Sequence, residues 1–351
     1  MSLVTEKDLE LVDAVQINPR ASWGTVGNAI GLSAVSARRR WARLAASGTA
    51  WTGSTLGPEL FRGGFLEIIC RPGTVGGVAA ALCELPQVIT VGRSIGDFDL
   101  YAITVAATDV AVDRALLAEV AALGVDRLRA QMYTRVHGGP DWRLSVLNRA
   151  QSLLVRQDSR RLAQEATVPE EGRRLFAALF GDARRSYVEL ADELGSSPQV
   201  VRRRLALMQA RGQINLRADI ARPLAGYPLA GLLWIAAPDD VVGDAGRWLA
   251  GRAENRFCAE VLAAANLVVV LDLRLPEHLA EFVARFSAEF PAAQVVDRRA
   301  VVTLLKVHGR ILDDQGRSVR TVAVDPWRGF GAGAGSDAPK PGSTADLGSR
   351  H

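Results

Sequence analysis

Two arginine triplets are the residues whose type and spacing most clearly indicate a chemistry. Arg38-Arg39-Arg40 in the first half of the chain is repeated as Arg202-Arg203-Arg204 in the second half. Guanidinium groups bind phosphates and the edges of bases, whereas a charged run on a surface helix is more often only solvated. Each triplet follows a serine that can begin a helix, Ser33 in one copy and Ser197 in the other. The repetition of this placement favours binding to nucleic acid over a solvated face.

The helices that position these arginines follow a repeated pattern. Ser22 predicts the start of a short helix and Gly31 its left-handed end, and Ser186 and Gly195 repeat the pair. The helix that carries the triplet begins directly afterwards. Two short helices joined by a tight Gly-x-Ser turn describe a helix-turn-helix in each copy.

The last helix of each unit has an apolar face and a polar face. Trp41 and Leu44 lie on the apolar side of the first copy. Arg40 and Arg204 stand close to the apolar side, so we expect them to snorkel or to form ion pairs. Short polar side chains near the helix N-terminus, with arginine beyond them, suit the major groove of double-stranded DNA. The residues predicted to face DNA are Ser33, Val35, Ser36, Arg38, Arg39 and Arg43 in the first copy and Ser197, Gln199, Val200, Arg202 and Arg203 in the second.

The whole chain is a tandem duplication. Residues 9–50 align with residues 173–214 without a gap, and a weaker echo follows in the rest of each copy. Each copy is therefore a helical unit followed by a mixed unit. The predicted divisions are helix-turn-helix domains at 1–55 and 169–220, mixed domains at 60–140 and 226–312, a linker with a partly amphipathic stretch at 141–168, and a C-terminal extension at 313–351 with a disordered tail from about residue 329.

The mixed domains share one order of strands and helices. In the first copy, strand patterns cover 65–70, 88–91, 100–105 and 128–136, and helix patterns cover 75–85 and 110–123. The second copy repeats this order between residues 229 and 307. The order βαββαβ is the ferredoxin-like arrangement. The predicted fold class is α+β, with two winged helix-turn-helix domains and two ferredoxin-like domains in tandem.

The helical units resemble the helix-turn-helix signature of the Lrp/AsnC (feast/famine) regulators. The resemblance rests on Ser22, Gly31-Leu32-Ser33, Arg40 and Gly48 in the first copy and on Gly195-Ser196-Ser197, Arg204 and Gly212 in the second. It implies a sequence-specific transcription regulator whose mixed domains sense an amino acid or a related small metabolite. The residues after Ile214 resemble the family's short wing, whereas the first copy departs from that pattern at Trp51-Thr52.

One hairpin carries the expected effector site. Gly96-Asp97-Phe98-Asp99 resembles the family's Gly-x-(Tyr/Phe)-Asp motif, which makes Gly96, Asp97 and Asp99 the expected effector-binding residues. A glycine admits close backbone approach and a carboxylate can hold an ammonium group, although both are also ordinary turn residues. The second copy has Ala263 to Asn266 at the matching place, without glycine or carboxylate. We therefore expect at most one competent effector site per chain.

Two other functions compete with regulation by an effector. The tandem architecture also resembles siroheme decarboxylases, for which the resemblance implies a His-Asn-Tyr run, but residues 88–92 and 256–260 contain neither histidine nor tyrosine. His137 and His308 end the last predicted strands, where a repeated structural role is expected. No nucleophile elbow, phosphate loop or metal-ligand spacing is present, so we expect neither enzymatic activity nor a cofactor. An architectural DNA-binding protein without an effector is the other alternative.

The composition sets the broad class. The chain is 48% apolar and 23% charged with a net charge of +4, which is typical of a globular protein and compatible with binding to DNA. No apolar run approaches the roughly 20 residues that span a bilayer, and the charged N-terminus lacks a signal-peptide pattern. We therefore expect a cytoplasmic protein without a membrane partner. The three cysteines are too scattered for a zinc site or a disulfide framework. Because the family resemblance implies dimerisation through sensing domains, we expect a homo-oligomer built on an intramolecular pseudo-dimer.

Overall fold

A computed structural model describes residues 4–60, 62–108, 116–139, 142–156, 162 and 167–328. Each helical unit contains three helices. They are α1 (Glu6–Ile17), α2 (Trp23–Ile30) and α3 (Ala34–Ala46) in the first copy, and α7 (Glu170–Phe180), α8 (Tyr187–Leu194) and α9 (Pro198–Ala210) in the second.

The predicted caps set the ends of these helices. The Ser22 and Ser186 hydroxyls accept hydrogen bonds from the backbone at the starts of α2 and α8, which satisfies donors that the helix itself leaves unpaired. Gly31 and Gly195 end the same helices with φ angles of 71° and 63°, a left-handed conformation that glycine adopts without steric cost. The tight turn of each helix-turn-helix therefore forms as the sequence predicts.

The two wings pair with each other. Strand β1 (Ala50–Leu56) lies antiparallel to β6 (Ile214–Ile220), and Ala50 is opposite Ile220 at one end of the ribbon. The first copy thus has a wing strand despite its departure from the family pattern. A Cβ atom at Gly57 would overlap the carbonyl oxygen of Gly212. Only glycine therefore permits the close approach of the two chains at this end of the ribbon.

Each mixed domain is an antiparallel sheet with helices on one face. The first contains β2 (Gly64–Cys70), α4 (Val75–Glu84), β3 (Val88–Ser94), β4 (Leu100–Thr104), α5 (Ala118–Ala122) and β5 (Val125–Gly138). The second contains β7 (Leu229–Ala236), α10 (Val242–Ala250), β8 (Asn255–Val261), β9 (Leu267–Leu273), α11 (Glu277–Glu289) and β10 (Gln294–Val307). The strand orders, β5-β2-β4-β3 and β10-β7-β9-β8, are those of ferredoxin-like domains.

The two sheets join edge to edge into a closed barrel. Strand β5 pairs with β8, and β10 pairs with β3, so every outer strand of one domain pairs with a strand of the other. Closure removes the exposed edges that an isolated sheet would present. The barrel interior contains Phe65 stacked on Tyr101 at 5.4 Å between ring centroids, with the edge of Trp234 against Phe65. The helices of the two domains cover the outside of the barrel in separate apolar clusters.

The linker packs on the first helix-turn-helix domain. The buried Asp13 carboxylate on α1 accepts hydrogen bonds from the Leu147 backbone N–H at 2.8 Å and from Arg143. A short helix, α6 (Arg149–Val155), follows, and Val155 is buried with Trp142 in the core of that domain. Residues 157–161 and 163–166 of the predicted linker lie outside the described residues.

Two short strands that the sequence did not predict lie at the boundary between the second mixed domain and the C-terminal extension. Strand β11 (Arg310–Leu312) pairs with β10, and β12 (Ser318–Thr321) pairs with β11. The predicted tail from residue 329 and residues 110–115 of the predicted helix 110–123 lie outside the described residues. Within the described part of the chain, no helix combines the length and apolar character needed to cross a membrane.

Candidate nucleic-acid interface and ligand sites

The predicted DNA face of α3 is exposed. The Ser33 hydroxyl caps the helix by accepting from the Ser36 backbone N–H at 3.2 Å. Val35 is 72% exposed, and Arg38 and Arg39 are also exposed. An exposed aliphatic side chain beside two arginines can contact a thymine methyl group and phosphates together.

The second copy presents the equivalent face of α9. Ser197 caps this helix through the Val200 backbone N–H at 3.3 Å, and Val200 itself is half-buried. Gln199, Arg202 and Arg203 are exposed. The structure therefore brings together the residues predicted for each recognition helix.

Asp8 makes the two recognition helices different. Its fully buried carboxylate binds Arg40 at 3.1 Å and Arg43 at 2.6 Å, so Arg40 forms the expected ion pair and Arg43 has part of its charge neutralised. Burial alone would raise the pKa of Asp8, but hydrogen bonds from Thr5 and Arg40 and the charge of Arg43 outweigh it and lower the pKa. In the repeat, Gly172 stands where Asp8 does, so α9 has no equivalent carboxylate.

Two equivalent arginines, one from each helix-turn-helix domain, each bind the other domain. Arg20 donates to the carbonyl oxygens of Ala183 and Arg185, and its guanidinium lies over the Tyr187 ring. The equivalent Arg184 donates to carbonyl oxygens at residues 19 and 21, and its guanidinium lies 3.8 Å from the centroid of the Trp23 ring. The identical pair Arg20 and Arg184 therefore occupies a pseudo-twofold contact that fixes one recognition helix relative to the other.

The predicted effector residues lie where the two sheets meet, but they do not share one pocket. Asp99 accepts a hydrogen bond from the Cys70 backbone N–H at 2.8 Å and so links the hairpin to the end of β2. Asp97 is 88% exposed and pairs with Arg299 of β10 at 2.5 Å. Arg299 also packs against Gly96, whose φ of 126° and lack of a Cβ atom allow this contact. The hairpin of the first copy thus has a cationic partner from the second.

The second hairpin has a structural role instead. The Asn266 side chain donates to the Ala237 carbonyl oxygen at 2.8 Å and accepts from the Ala237 N–H at 2.9 Å. These two bonds leave the amide engaged with the backbone. The expected asymmetry between the two hairpins is therefore visible in their contacts.

A buried network of charges lies at one end of the barrel. Asp219 binds Arg217 at 2.7 Å and Arg256 at 2.9 Å, while Asp272 binds Arg222 at 2.8 Å and Arg256 at 3.2 Å. Each of these five side chains is at most 8% exposed. Burial opposes ionisation of Asp219, but the charges of Arg256 and Arg217 outweigh it and lower the pKa of its carboxyl.

Two cavities adjoin this network. The smaller has a volume of about 30 Å³ and is lined by Tyr101, Arg222, Arg256 and His308 among apolar groups. The larger has a volume of about 400 Å³ and lies between the wing ribbon and strands β7 and β10. Arg222, Leu304 and Val307 line both cavities, so the two lie side by side. Neither cavity is lined by Asp97 or Asp99.

The two repeated histidines have different surroundings. His137 bonds to Glu260 at 2.7 Å, whereas His308 has a φ of 46° and faces the smaller cavity. Burial lowers the pKa of His308 well below its ordinary value, so it is neutral at pH 7. The two histidines were predicted to share a structural role, but they contact different groups.

A model of the AsnC-type helix-turn-helix domain matches residues 4–45 and again residues 172–209. The chain carries two AsnC-type helix-turn-helix domains. No curated protein sequence matches the chain significantly.

Two solved structures are similar to this chain at low identity. The siroheme decarboxylase NirDL, in a complex with an iron-uroporphyrin III analogue, has a TM-score of 0.56 at 14% identity, covering 86% of this chain and 93% of that chain. AsnC of E. coli has a TM-score of 0.35 at 21% identity, covering 39% of this chain and 93% of that chain. The NirDL comparison shows that the tandem fold, with its AsnC-type domains and barrel-like sheet, extends over nearly the whole chain.

Sequence reasoning found the AsnC-type helices but missed the buried charge network. Its one local signal is Asp272, a lone carboxylate within the otherwise apolar strand Leu267–Leu273. A carboxylate is almost never fully buried unless it is paired. Its partner Arg256 lies on β8, which pairs with the strand of Asp272, whereas Arg222 lies 50 residues away in the chain and reaches Asp272 only through tertiary packing.

Proposed function

We propose that the protein is a sequence-specific, DNA-binding transcription regulator of the Lrp/AsnC type. The observation that carries this proposal is the exposed polar face on both AsnC-type recognition helices. Within the described residues, no acidic side chain pairs with Arg38, Arg39, Arg202 or Arg203. Four unpaired cations on two joined helix-turn-helix domains are available to phosphates and bases.

The rigid relation between the domains supports simultaneous binding. The β1–β6 ribbon and the exchange between Arg20 and Arg184 join the two domains directly. Helix-turn-helix dimers bind half-sites about one helical turn of DNA apart, or a multiple of it. A single chain therefore presents two DNA-binding domains that differ in sequence, and such a pair suits an asymmetric operator.

Binding of charge-matched variants to DNA tests the proposal. Arg39→Ala and Arg203→Ala are compared with wild type and with Arg71→Ala, which removes an exposed arginine from a turn outside both recognition helices. Fluorescence anisotropy uses a duplex selected from a random library and a salt series. We expect each recognition-helix variant to lose about tenfold in affinity or more, while Arg71→Ala binds like wild type. Equal affinity in all four proteins would contradict the assignment.

We infer that a small effector, an amino acid or a related metabolite, binds at the first hairpin. Arg299, which also pairs with Asp297 at 2.6 Å, and Asp97 supply groups of opposite charge for a carboxylate and an ammonium group once the effector displaces the pair of Asp97 with Arg299. Calorimetry with a panel of amino acids is the test, with Arg299→Ala and the adjacent exposed Arg298→Ala as a matched pair. We expect one site per chain, lost in Arg299→Ala and retained in Arg298→Ala. Two equivalent sites per chain would refute the inference.

A siroheme decarboxylase is the second candidate, favoured by the likeness to NirDL over nearly the whole chain. The lining of the larger cavity argues against a polycarboxylate substrate, because Arg222 is accompanied there by Asp272, Asp313 and Asp314. We infer a binding protein and no enzymatic activity. Adding siroheme to the protein and recording the absorbance spectrum tests this, since a shifted spectrum with loss of carboxyl groups as carbon dioxide would establish the enzyme instead.

A further inference from the structure

The smaller cavity contains two buried donors that have no partner among the described residues. Arg256 donates from Nη2 to Asp219 and has Nε 3.2 Å from Asp272, but no described residue forms a hydrogen bond with its third nitrogen, Nη1. The Tyr101 hydroxyl is likewise buried without a partner in the described part of the chain. Both side chains line the same cavity of about 30 Å³. Buried donors of this kind cost free energy unless an acceptor reaches them.

The chemistry of the two donors selects an anionic acceptor. Arg256 carries a full charge in an enclosed site, where a hydrogen bond to a carboxylate is about twice as strong as one to a neutral group. Arg222 and Arg256 are both cationic and line the smaller cavity, and no acidic side chain is among the described residues that line it. His308 in the cavity wall is neutral and adds no charge.

The size of the cavity restricts the anion to a small head group. A water-sized group needs about 10–15 Å³ of such volume, so about 30 Å³ holds the two oxygens of one carboxylate. The neighbouring cavity of about 400 Å³ has Leu229, Val301 and Leu312 in its walls and can hold an apolar body. The shared residues Arg222, Leu304 and Val307 mark where head and body would meet.

We propose that the end of the barrel is a binding site for a monocarboxylate with an apolar body. The carboxylate accepts from Arg256 Nη1 and the Tyr101 hydroxyl in the smaller cavity, and the apolar body fills the larger one. This site is separate from the hairpin of Asp97 and Arg299. It does not depend on whether the chain binds DNA.

Matched ligands and matched tyrosine variants of the full chain test the site. Calorimetry and thermal denaturation compare hexanoate and phenylacetate with their neutral amides, hexanamide and phenylacetamide. Tyr101→Phe removes only the hydroxyl of the proposed site. Tyr133→Phe is the control, because it removes another buried tyrosine hydroxyl while Tyr133 lines neither cavity. Removing an unpaired buried hydroxyl does not itself threaten the fold.

We expect the carboxylates to bind and the neutral amides to bind at least tenfold more weakly. This difference in affinity corresponds to about one charge-assisted hydrogen bond. Tyr101→Phe should weaken carboxylate binding by about tenfold, and Tyr133→Phe should leave it unchanged. Failure of both carboxylates to bind, or equal affinity for acid and amide, would overturn the proposal. So would a crystal structure grown with phenylacetate that shows only water at Arg256 Nη1. DNA binding measured without any carboxylate remains a separate test of the regulator.

Discussion

At the scale of single residues, Asp8 has the largest consequence for the recognition helices. Its buried carboxylate holds two arginines of α3, whereas the residue at the equivalent position of the second copy is Gly172. Arg39 is therefore the freer cation of the first copy, and Arg43 is the more constrained one. We expect Arg43→Ala to weaken DNA binding less than Arg39→Ala does.

Asp8→Asn tests the stabilising role of this ion pair. Because the folded-state pKa of Asp8 is below its ordinary value, its stabilisation is present above the unfolded pKa and is lost as the pH falls through the folded pKa. We expect the variant to lose about 1–3 kcal/mol at pH 7 and to show a smaller loss relative to wild type near pH 3. Chemical denaturation at both pH values measures this.

Glu10→Gln is the control. It removes only the partner of an exposed surface pair with Lys7 and should lower the free energy of unfolding by less than about 1 kcal/mol. Equal effects of the two substitutions would contradict a special role for Asp8.

At the scale of elements, local signals predicted most of the helices and strands. Serine caps and left-handed glycines fixed the helix-turn-helix units, and the apolar runs 229–236 and 267–273 form strands with those bounds. The pairing of β1 with β6 could not be predicted, because strand pairing between distant segments leaves no local pattern. Strands β11 and β12 were missed for another reason, because they are three and four residues long and too short to carry an alternating pattern.

A substitution at Gly57 tests the close packing at the end of the ribbon. Gly57→Ala would place a methyl group against the Gly212 carbonyl, so we expect a loss of about 1–3 kcal/mol in the free energy of unfolding. Gly77→Ala is the control. It lies in helix α4 with no atom near its Cβ position and should be neutral or stabilising by up to about 1 kcal/mol. Denaturant unfolding of both variants measures the difference. A stable Gly57→Ala protein would show that the ribbon is not closely packed there.

At the scale of the whole molecule, the duplication forms an internal dimer. The barrel closes only because β5 pairs with β8 and β10 pairs with β3 across the two copies. The repeat in the sequence predicted a pseudo-dimer, but it did not show which strand edges of the two copies pair. The charged residues Arg222, Arg256 and Asp272 all belong to the second copy, whereas closure places Tyr101 of the first copy in the cavity beside them, so no one segment carries a signature of the carboxylate site.

Hydroxyl-radical footprinting of one chain on its selected duplex tests the central claim most directly. If both AsnC-type domains read DNA, wild type should protect two segments of different sequence about 10 base pairs apart, or a multiple of that spacing. Arg39→Ala should weaken protection of one segment and Arg203→Ala that of the other. A single protected segment that responds to only one substitution, or uniform protection along any duplex, would contradict the account.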